Sequence, residues 1–315
     1  MIQVDSVSKR YGRLSALQDV SFSVPSGQVV GLLGQNGAGK TTLLNILSGY
    51  IPPTEGSVMV RDISLIDDPI GAKSFVGYLP EHAPLYPEMT ITEFLHFCCD
   101  LKGVVRSEQR GHVAQVMQLT GLKDHAHRPI GKLSKGYQQR TGLAQALCGT
   151  PAVLLLDEPT AGFDPSQAAE FRELIRSLSK KHTIILSSHI LSEIQAMCDR
   201  VLILHQGKLL YDQVQDEKKQ KPIRTMRLRA VADKDKLMAT LRSINGVRRI
   251  KRMPDPQRGI EVLIECEQDT RFEEQLSVLL CGLGAIILQL SPVEDGLEDV
   301  FLKLTSSPLH GGTKA

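Results

Sequence analysis

None of the six cysteines, at 98, 99, 148, 198, 266 and 281, belongs to a C-x-x-C pair, and no Cys/His run has the spacing of a zinc motif. A dithiol redox motif or zinc ribbon written into the local sequence is thereby excluded, and reduced, mostly buried thiols in a cytosolic protein are expected. A surplus of charge is missing too, since 37 Lys and Arg against 35 Asp and Glu leave only +2. The molecule as a whole is therefore not an electrostatic binder of nucleic acid, and any basic surface must be local. The start, MIQVDSVSKRYG, has no apolar run behind a positive end, so no secretory signal is expected there. Internal repeats and sustained heptads are absent. One uncharged stretch, Gln275–Val293, approaches bilayer length, but Gly282, Gly284 and Pro292 interrupt it and its flanks are acidic. It reads as a helix, a glycine turn and a buried strand rather than a membrane span.

What is present suffices for a sizeable core: 315 residues, 42% hydrophobic, favour two ordinary domains. Up to about Gln215, apolar runs such as GQVVGLLG, PAVLLLDEP and HTIILSSH alternate with helical periodicity, the rhythm of an α/β domain with buried parallel strands. Residues from Thr90 to Gly149 lack strand patterns and read as a helical insertion. After the charged DEKKQKP the pattern becomes strand (224–230), helix (233–244), strand (247–253), strand (Ile260, Val262, Ile264), helix and strand (AIILQL). The second helix is expected to start at a Thr270–Glu273 capping box and to bury Phe272, Leu276, Leu279 and Leu283. This β-α-β-β-α-β order is that of the ferredoxin-like split motif. The expected division is 1–217 nucleotide domain with a helical subdomain at about 88–149, 218–222 linker, 223–305 α+β domain and 306–315 disordered tail.

The second domain is electrically polarised. Lys218 to Arg252 holds thirteen Lys/Arg against two Asp, and Met253 to Leu302 holds eleven Asp/Glu against two Arg. Mutual compensation inside one small domain explains this, as does a basic face lying on anionic lipid or a partner's acidic loops.

GQNGAGKTT, Gly34 to Thr42, matches G-x-x-x-x-G-K-[ST] between an expected strand and an expected helix. Glycines there let successive N–H groups of Gly34, Gln35, Asn36, Gly37, Ala38 and Gly39 curl around a phosphate, and the helix dipole adds to that field. Lys40 supplies charge for the β- and γ-phosphates, the Thr41 hydroxyl suits Mg2+, and Thr42 follows it into the helix. VLLLDE puts Asp157 at the end of a wholly apolar strand, where the ligand crevice of a parallel sheet lies, as a second Mg2+ ligand. Glu158, one residue on, is placed to orient or deprotonate an attacking water.

LSKGYQQR, Leu133 to Arg140, offers a second anion-ready helix start in the same chain. It resembles the signature of the ABC ATPases, usually LSGGQ, and precedes the carboxylate strand at the expected distance. AGFDP resembles the D-loop, with Asp164; SSHIL places His189 at the switch-histidine position; Tyr11 in SKRYG matches the aromatic that stacks on adenine. The resemblance covers about residues 1–215. It implies an α/β P-loop NTPase domain of the ABC ATPase kind with a helical signature subdomain, and an ATPase using ATP and Mg2+. It also implies head-to-tail dimerisation with a second copy, so that Ser134 and Gly136 serve the ATP held by the partner's P-loop, with His189 bonding the γ-phosphate and the water-positioning carboxylate.

Two features depart from the pattern. Lys135 and Tyr137 replace Gly and Gln in the signature, and Glu81 in GYLPEHAPLYPEMT stands where the Q-loop glutamine belongs. A carboxylate there reaches Mg2+ but repels the γ-phosphate unless balanced. LPEH-PLYP, LSKGYQQRTGLAQAL and GLEDVFLKL resemble the bacterial ABC-2-type export ATPases, closest to the gliding-motility GldA-type branch. The family implies separately encoded transmembrane permease subunits and a peripheral place on the cytoplasmic face of the inner membrane. A permease helix is expected to dock around Glu81 to Phe97, on Tyr86, Met89 and Phe94, unless these pack the subdomain's own core. Two other functions stay open: a soluble ABC ATPase acting on ribosomes or nucleic acid through 218–252, and a slow-turnover regulatory ATP-binding module.

Overall fold

Where every residue of a strand is apolar, both faces are covered; where apolar and polar alternate, one face is wet. Both patterns occur in the computed structural model, which describes residues 1–214, 223–244, 246–253, 259–267 and 272–293. In the first unit, Met1–Gln215, a hairpin of β1 (Ile2–Tyr11) and β2 (Leu14–Val24) is followed by β3 (Val29–Leu33), α1 (Lys40–Leu47), β4 (Glu55–Val60) and β5 (Ile63–Ser64). Then come α2 (Pro69–Ser74), β6 (Val76–Leu79), the helical insertion α3 (Ile91–Leu101), α4 (Arg106–Leu119) and α5 (Lys135–Leu147), and β7 (Val153–Leu156). The unit ends with α6 (Pro165–Ser179), β8 (Thr183–Ser188), α7 (Leu191–Met197), β9 (Arg200–His205) and β10 (Lys208–Val214).

The central sheet runs β10-β9-β3-β8-β7-β6. β9 to β6 are parallel, and β3, β7 and β8 are buried at every position. Two arrangements were not expected from the alternating pattern. β10 pairs antiparallel with β9, and β2-β1-β4-β5 form a separate antiparallel sheet, because β1 and β4 alternate buried and exposed positions. Leu43, Leu44 and Leu47 of α1 share one apolar core with Val4 and Val20 of that sheet and Val30 and Leu202 of the central one.

The insertion starts at a capping box: Thr90 Oγ1 accepts from Glu93 N, and Glu93 Oε2 accepts from Thr90 N at 2.8 Å. These bonds hold the Glu93 carboxyl below its usual range. Phe94 is 1% exposed, so it belongs to the subdomain core and is not available as a docking contact. Tyr86 stays on the surface with its ring 5.7 Å from that of Phe97.

The second unit, Asp216–Ala315, contains β11 (Ile223–Val231), α8 (Lys234–Ser243), β12 (Val247–Arg252), β13 (Ile260–Glu267), α9 (Phe272–Gly282) and β14 (Ile286–Val293). Its sheet, β12-β13-β11-β14, is antiparallel throughout, which is the ferredoxin-like order. Gln275–Val293 is indeed helix, turn at Gly284 and strand. Two details of packing differ from expectation. Leu280, not Leu279, joins Phe272 and Leu276 in the core, and β14 is an edge strand with Ile286 exposed. Thr270 of the expected capping box, the linker 218–222 and the tail 306–315 lie outside the described residues. Arg227 meets Glu261 at 3.6 Å, an instance of charge compensation within the unit.

Candidate active site

The turn after β3 is built by backbone conformations that side chains resist. Gly37 has φ +79° and Gly39, the N-cap of α1, has φ +106°. A Cβ on Gly39 would lie 2.7 Å from the Ala16 carbonyl oxygen, so conformation and space both require glycine. Lys40 folds back over the loop. Its Nζ donates to Gly34 O at 2.7 Å and Gln35 O at 3.4 Å, and lies 3.2 Å from Glu158 Oε1.

Beyond the end of β7, Asp157 is fully buried. Its Oδ1 accepts from Ser187 Oγ at 2.6 Å, while Oδ2 has no hydrogen-bond partner of good geometry. Burial raises the Asp157 pKa. Hydrogen bonding from Ser187 and from Thr41 works the other way, and the negative charges of Glu158 and Glu81 add to the rise. A buried carboxylate oxygen without a partner, beside the Thr41 hydroxyl, suits a hard divalent cation. The residues present therefore fit Mg2+.

Glu158 has φ +44°, an uncommon conformation for a non-glycine residue and costly enough that it persists chiefly at functional sites. Its backbone N–H donates to Ser187 Oγ at 2.8 Å, so one serine fixes both acidic residues. Its other oxygen, Oε2, faces His189 Nδ1 at 2.9 Å. The carboxylate is thus held between a lysine and a half-exposed histidine.

The loop, Lys40, Glu158 and His189 open onto one cavity of about 720 Å³, lined by Tyr11, Gln35 to Thr42, Glu81, Glu158 and His189, among others. That lies within the roughly 300–1,000 Å³ of ligand pockets. Tyr11 is exposed at its rim, with Lys9 Nζ 5.4 Å from the ring centre. Gly34 and Asp157 are not in the cavity's lining; Asp157 lines a second cavity that shares Thr41 and Glu81 with the first. The ABC transporter family profile matches residues 17–161. YxlF of Bacillus subtilis (strain 168), an uncharacterized ABC transporter ATP-binding protein, is 31% identical over 96% of this chain and 99% of its own length.

The chain belongs to the ABC transporter ATP-binding protein family.

The bacitracin transport ATP-binding protein BcrA of Bacillus licheniformis is also 31% identical, over 99% of this chain and 98% of its own. The dimeric structure of the bacterial ABC transporter cassette MJ0796 aligns with TM-score 0.63 at 26% identity, covering 69% of this chain and 99% of that one. The same cassette in a post-hydrolysis state with ADP and Pi aligns with TM-score 0.63 at 25% identity. The present chain is an ABC ATPase, and none of its described helices is long and apolar enough to cross a membrane.

In this ABC domain the three remaining candidates stand apart from the cavity. Ser134 is the exposed N-cap of α5 and makes no capping hydrogen bond with its side chain; Gly136 lies beside Gln167. Asp164 caps α6, its Oδ1 accepting from Gln167 N at 2.8 Å. None of the three lines the cavity. Several contributors were not anticipated. Ser187, the orienting hydroxyl, was readable only as the second serine before His189. Leu14, Ser15 and Ala16 of β2 and the Gln206–Gly207 turn complete the cavity wall without any local motif.

Proposed function

We propose that this chain is the ATP-hydrolysing subunit of a bacterial ABC-2-type exporter of the GldA-like branch. It acts peripherally on the cytoplasmic face of the inner membrane beneath separately encoded permease subunits. Residues 1–217 would be the motor and 223–305 an accessory domain. The name of BcrA, a bacitracin transport ATP-binding protein, and that of LnrL, a linearmycin resistance ATP-binding protein, support an export role.

One observation carries the mechanism: the P-loop, Glu158 and His189 share a cavity, while Ser134 and Gly136, the second anion-ready helix start, lie outside it. A single chain thus surrounds only part of a nucleotide. A second copy placed head to tail brings its Ser134 hydroxyl, unused in capping, and its Gly136 N–H onto the exposed γ-phosphate. That attraction vanishes when the phosphate leaves, so ATP closes the dimer and hydrolysis opens it.

Within each site Tyr11 stacks on adenine, the loop from Gly34 to Thr42 wraps the phosphates, and Lys40 turns from Glu158 toward the β- and γ-oxygens. Asp157 and Thr41 would hold Mg2+, and Glu81, which lines both cavities that Thr41 lines, would supply a further oxygen; the ion would supply charge neutralisation of the phosphates. Glu158, released from Lys40, accepts a proton from the attacking water. His189 steadies Glu158 through Nδ1–H, and a ring protonated at both nitrogens also donates to the γ-phosphate. Asp164 approaches the partner's site from the start of α6.

A second cavity of about 1,140 Å³, lined by Tyr50, Ile70, Glu81, His82 and Leu101, is the dock for a permease helix. Tyr50, Ile70 and Leu101 are 77%, 83% and 71% exposed, the kind of apolar patch that marks a partner. The test of the composite site is complementation. Lys40→Ala and Ser134→Arg proteins, each inactive alone, should regain hydrolysis when mixed, because the mixed dimer retains one intact site. Failure of the mixture, with both variants folded, rejects the head-to-tail arrangement.

A further inference from the structure

Three ligands scattered in the sequence meet inside the helical insertion. Cys99 of α3, His112 of α4 and Cys148, the C-terminal cap of α5, each place one ligand atom within 4.8 Å of the others. Cys99 and Cys148 are 0% and 1% exposed, while His112 is half-buried. We propose that Cys99, His112 and Cys148 form a Zn2+ site that ties the three helices together.

The donor set selects the ion. Two thiolates and a neutral imidazole are soft to borderline ligands, suited to Zn2+ or Cu+ rather than to Mg2+ or Ca2+. Charge then decides between the first two. Zn2+ with two thiolates is neutral, whereas Cu+ leaves a net negative charge in a buried place. Binding forms two Zn–S bonds and one Zn–N bond, and the two thiol protons leave for solvent. In the apoprotein the thiols hold those protons firmly. The hydrogen bond with Cys98, and then burial, push Cys148 far above the usual thiol range, and burial raises Cys99 as well.

One nitrogen of His112 is fixed as an acceptor. Its Nε2 accepts from Gly149 N at 3.1 Å, so in the neutral ring the proton is on Nδ1 and Nε2 carries the lone pair. Gly149 is exposed, so its N–H passes to water when the metal takes that lone pair. Cys98, hydrogen-bonded to Cys148, lines the 1,140 Å³ cavity and provides both an entry path and a fourth soft atom beside the site. The signature helix starts after Ser134 and ends at Cys148, about 21 Å at 1.5 Å per residue. A metal at its far end thus fixes the helix that presents Ser134.

The experiment uses the full chain, reduced, freed of reductant under anaerobic conditions and exposed to Zn2+ in excess Mg2+, which keeps the carboxylate site occupied. Expected are one bound Zn2+ per chain and, with Co2+ instead, thiolate charge-transfer bands. Cys148→Ser and His112→Ala should each raise the Kd at least about 100-fold, more than the loss of an outer-shell partner does, while Cys281→Ser leaves it unchanged. His112, half-buried, is the variant that keeps the fold if Cys148→Ser does not. Absence of stoichiometric Zn2+, binding that survives His112→Ala, or binding lost with the exposed Cys281 overturns the assignment.

Discussion

Replacing Glu158 by Gln isolates proton acceptance from everything else the side chain does. The amide keeps the shape, the acceptor oxygen near Lys40 and the backbone bond to Ser187 Oγ at 2.8 Å, but it no longer takes a proton from water. A positioned general base contributes about 10²- to 10⁴-fold, which is about 2.7–5.4 kcal/mol of barrier at 1.36 kcal/mol per decade. The apoprotein loses the ion pair of Lys40 and Glu158, 3.2 Å apart with side chains 6% and 12% exposed. Because Lys40 keeps its bonds to Gly34 O and Gln35 O, that change is expected to cost about 1–3 kcal/mol, the range for a weakened buried hydrogen bond. The signature is therefore a split: lower melting temperature without ligand, normal or tighter binding of Mg-ATP, and phosphate release reduced at least a hundredfold. Phosphate release at saturating Mg-ATP gives the rate, equilibrium nucleotide binding gives the affinity, and sedimentation shows whether the uncleaved nucleotide accumulates a dimer. A fall of less than about tenfold, beneath the range of a general base, would remove Glu158 from proton transfer. A dead variant that stays monomeric in saturating Mg-ATP would remove the ATP-driven dimer.

Glu81→Gln takes one negative charge from the neighbourhood of Asp157 and should raise the Mg2+ concentration giving half-maximal ATPase; an unchanged Mg2+ titration, with or without permease, rules out a metal role. Phe94→Ala should destabilise the domain by about 3–5 kcal/mol, the range for a buried Phe, read by urea denaturation; a surface docking residue would leave stability intact. Gly77→Ala forces a Cβ to 2.0 Å from Ala146 O, so β6 and α5 must separate, at about 1–3 kcal/mol for an overpacked contact. His182 is buried with Nδ1 2.6 Å from Pro151 O, and burial lowers its pKa. Below about 6.5 the unfolded chain takes a proton that the folded chain refuses, so stability present at neutral pH is lost as pH falls toward the folded value. His182→Asn should flatten that dependence in denaturation midpoints measured on either side of about 6.5.

Residues whose chemistry is local were legible in the sequence. The turn at Gly37–Lys40 needs glycine for reasons that hold in any strand-to-helix turn, and four apolar residues before Asp157 imply a strand covered on both faces. The ferredoxin-like order was readable because β13 alternates strictly. Three things were not. The antiparallel β2-β1-β4-β5 sheet depends on pairing Ile2 with Val60, fifty-eight residues away, which no local period reports. Leu279 and Leu280 differ by one residue, a 100° rotation of the helix, and only the position of the sheet decides which is inside. The meeting of Cys99, His112 and Cys148 needs three helices to pack before any ligand spacing exists.

The same packing joins the acidic pair to α5 through main chain alone. Asp157 N donates to Leu79 O at 2.8 Å, and β6 lies beside β7 along its whole length. β6 is also pressed against α5, where no side chain separates Gly77 from Ala146 O. From the acidic pair to the signature helix there are thus only two backbone layers and no flexible side chain to absorb a shift. Two residues past Leu79, Glu81 lines both the nucleotide cavity and the apolar one. Close-packed interiors transmit displacement rather than dissipate it. On the proposed function, a movement of Glu81 toward or away from the cation would change the wall of the second cavity, and a permease segment in that cavity would change the cation site in return.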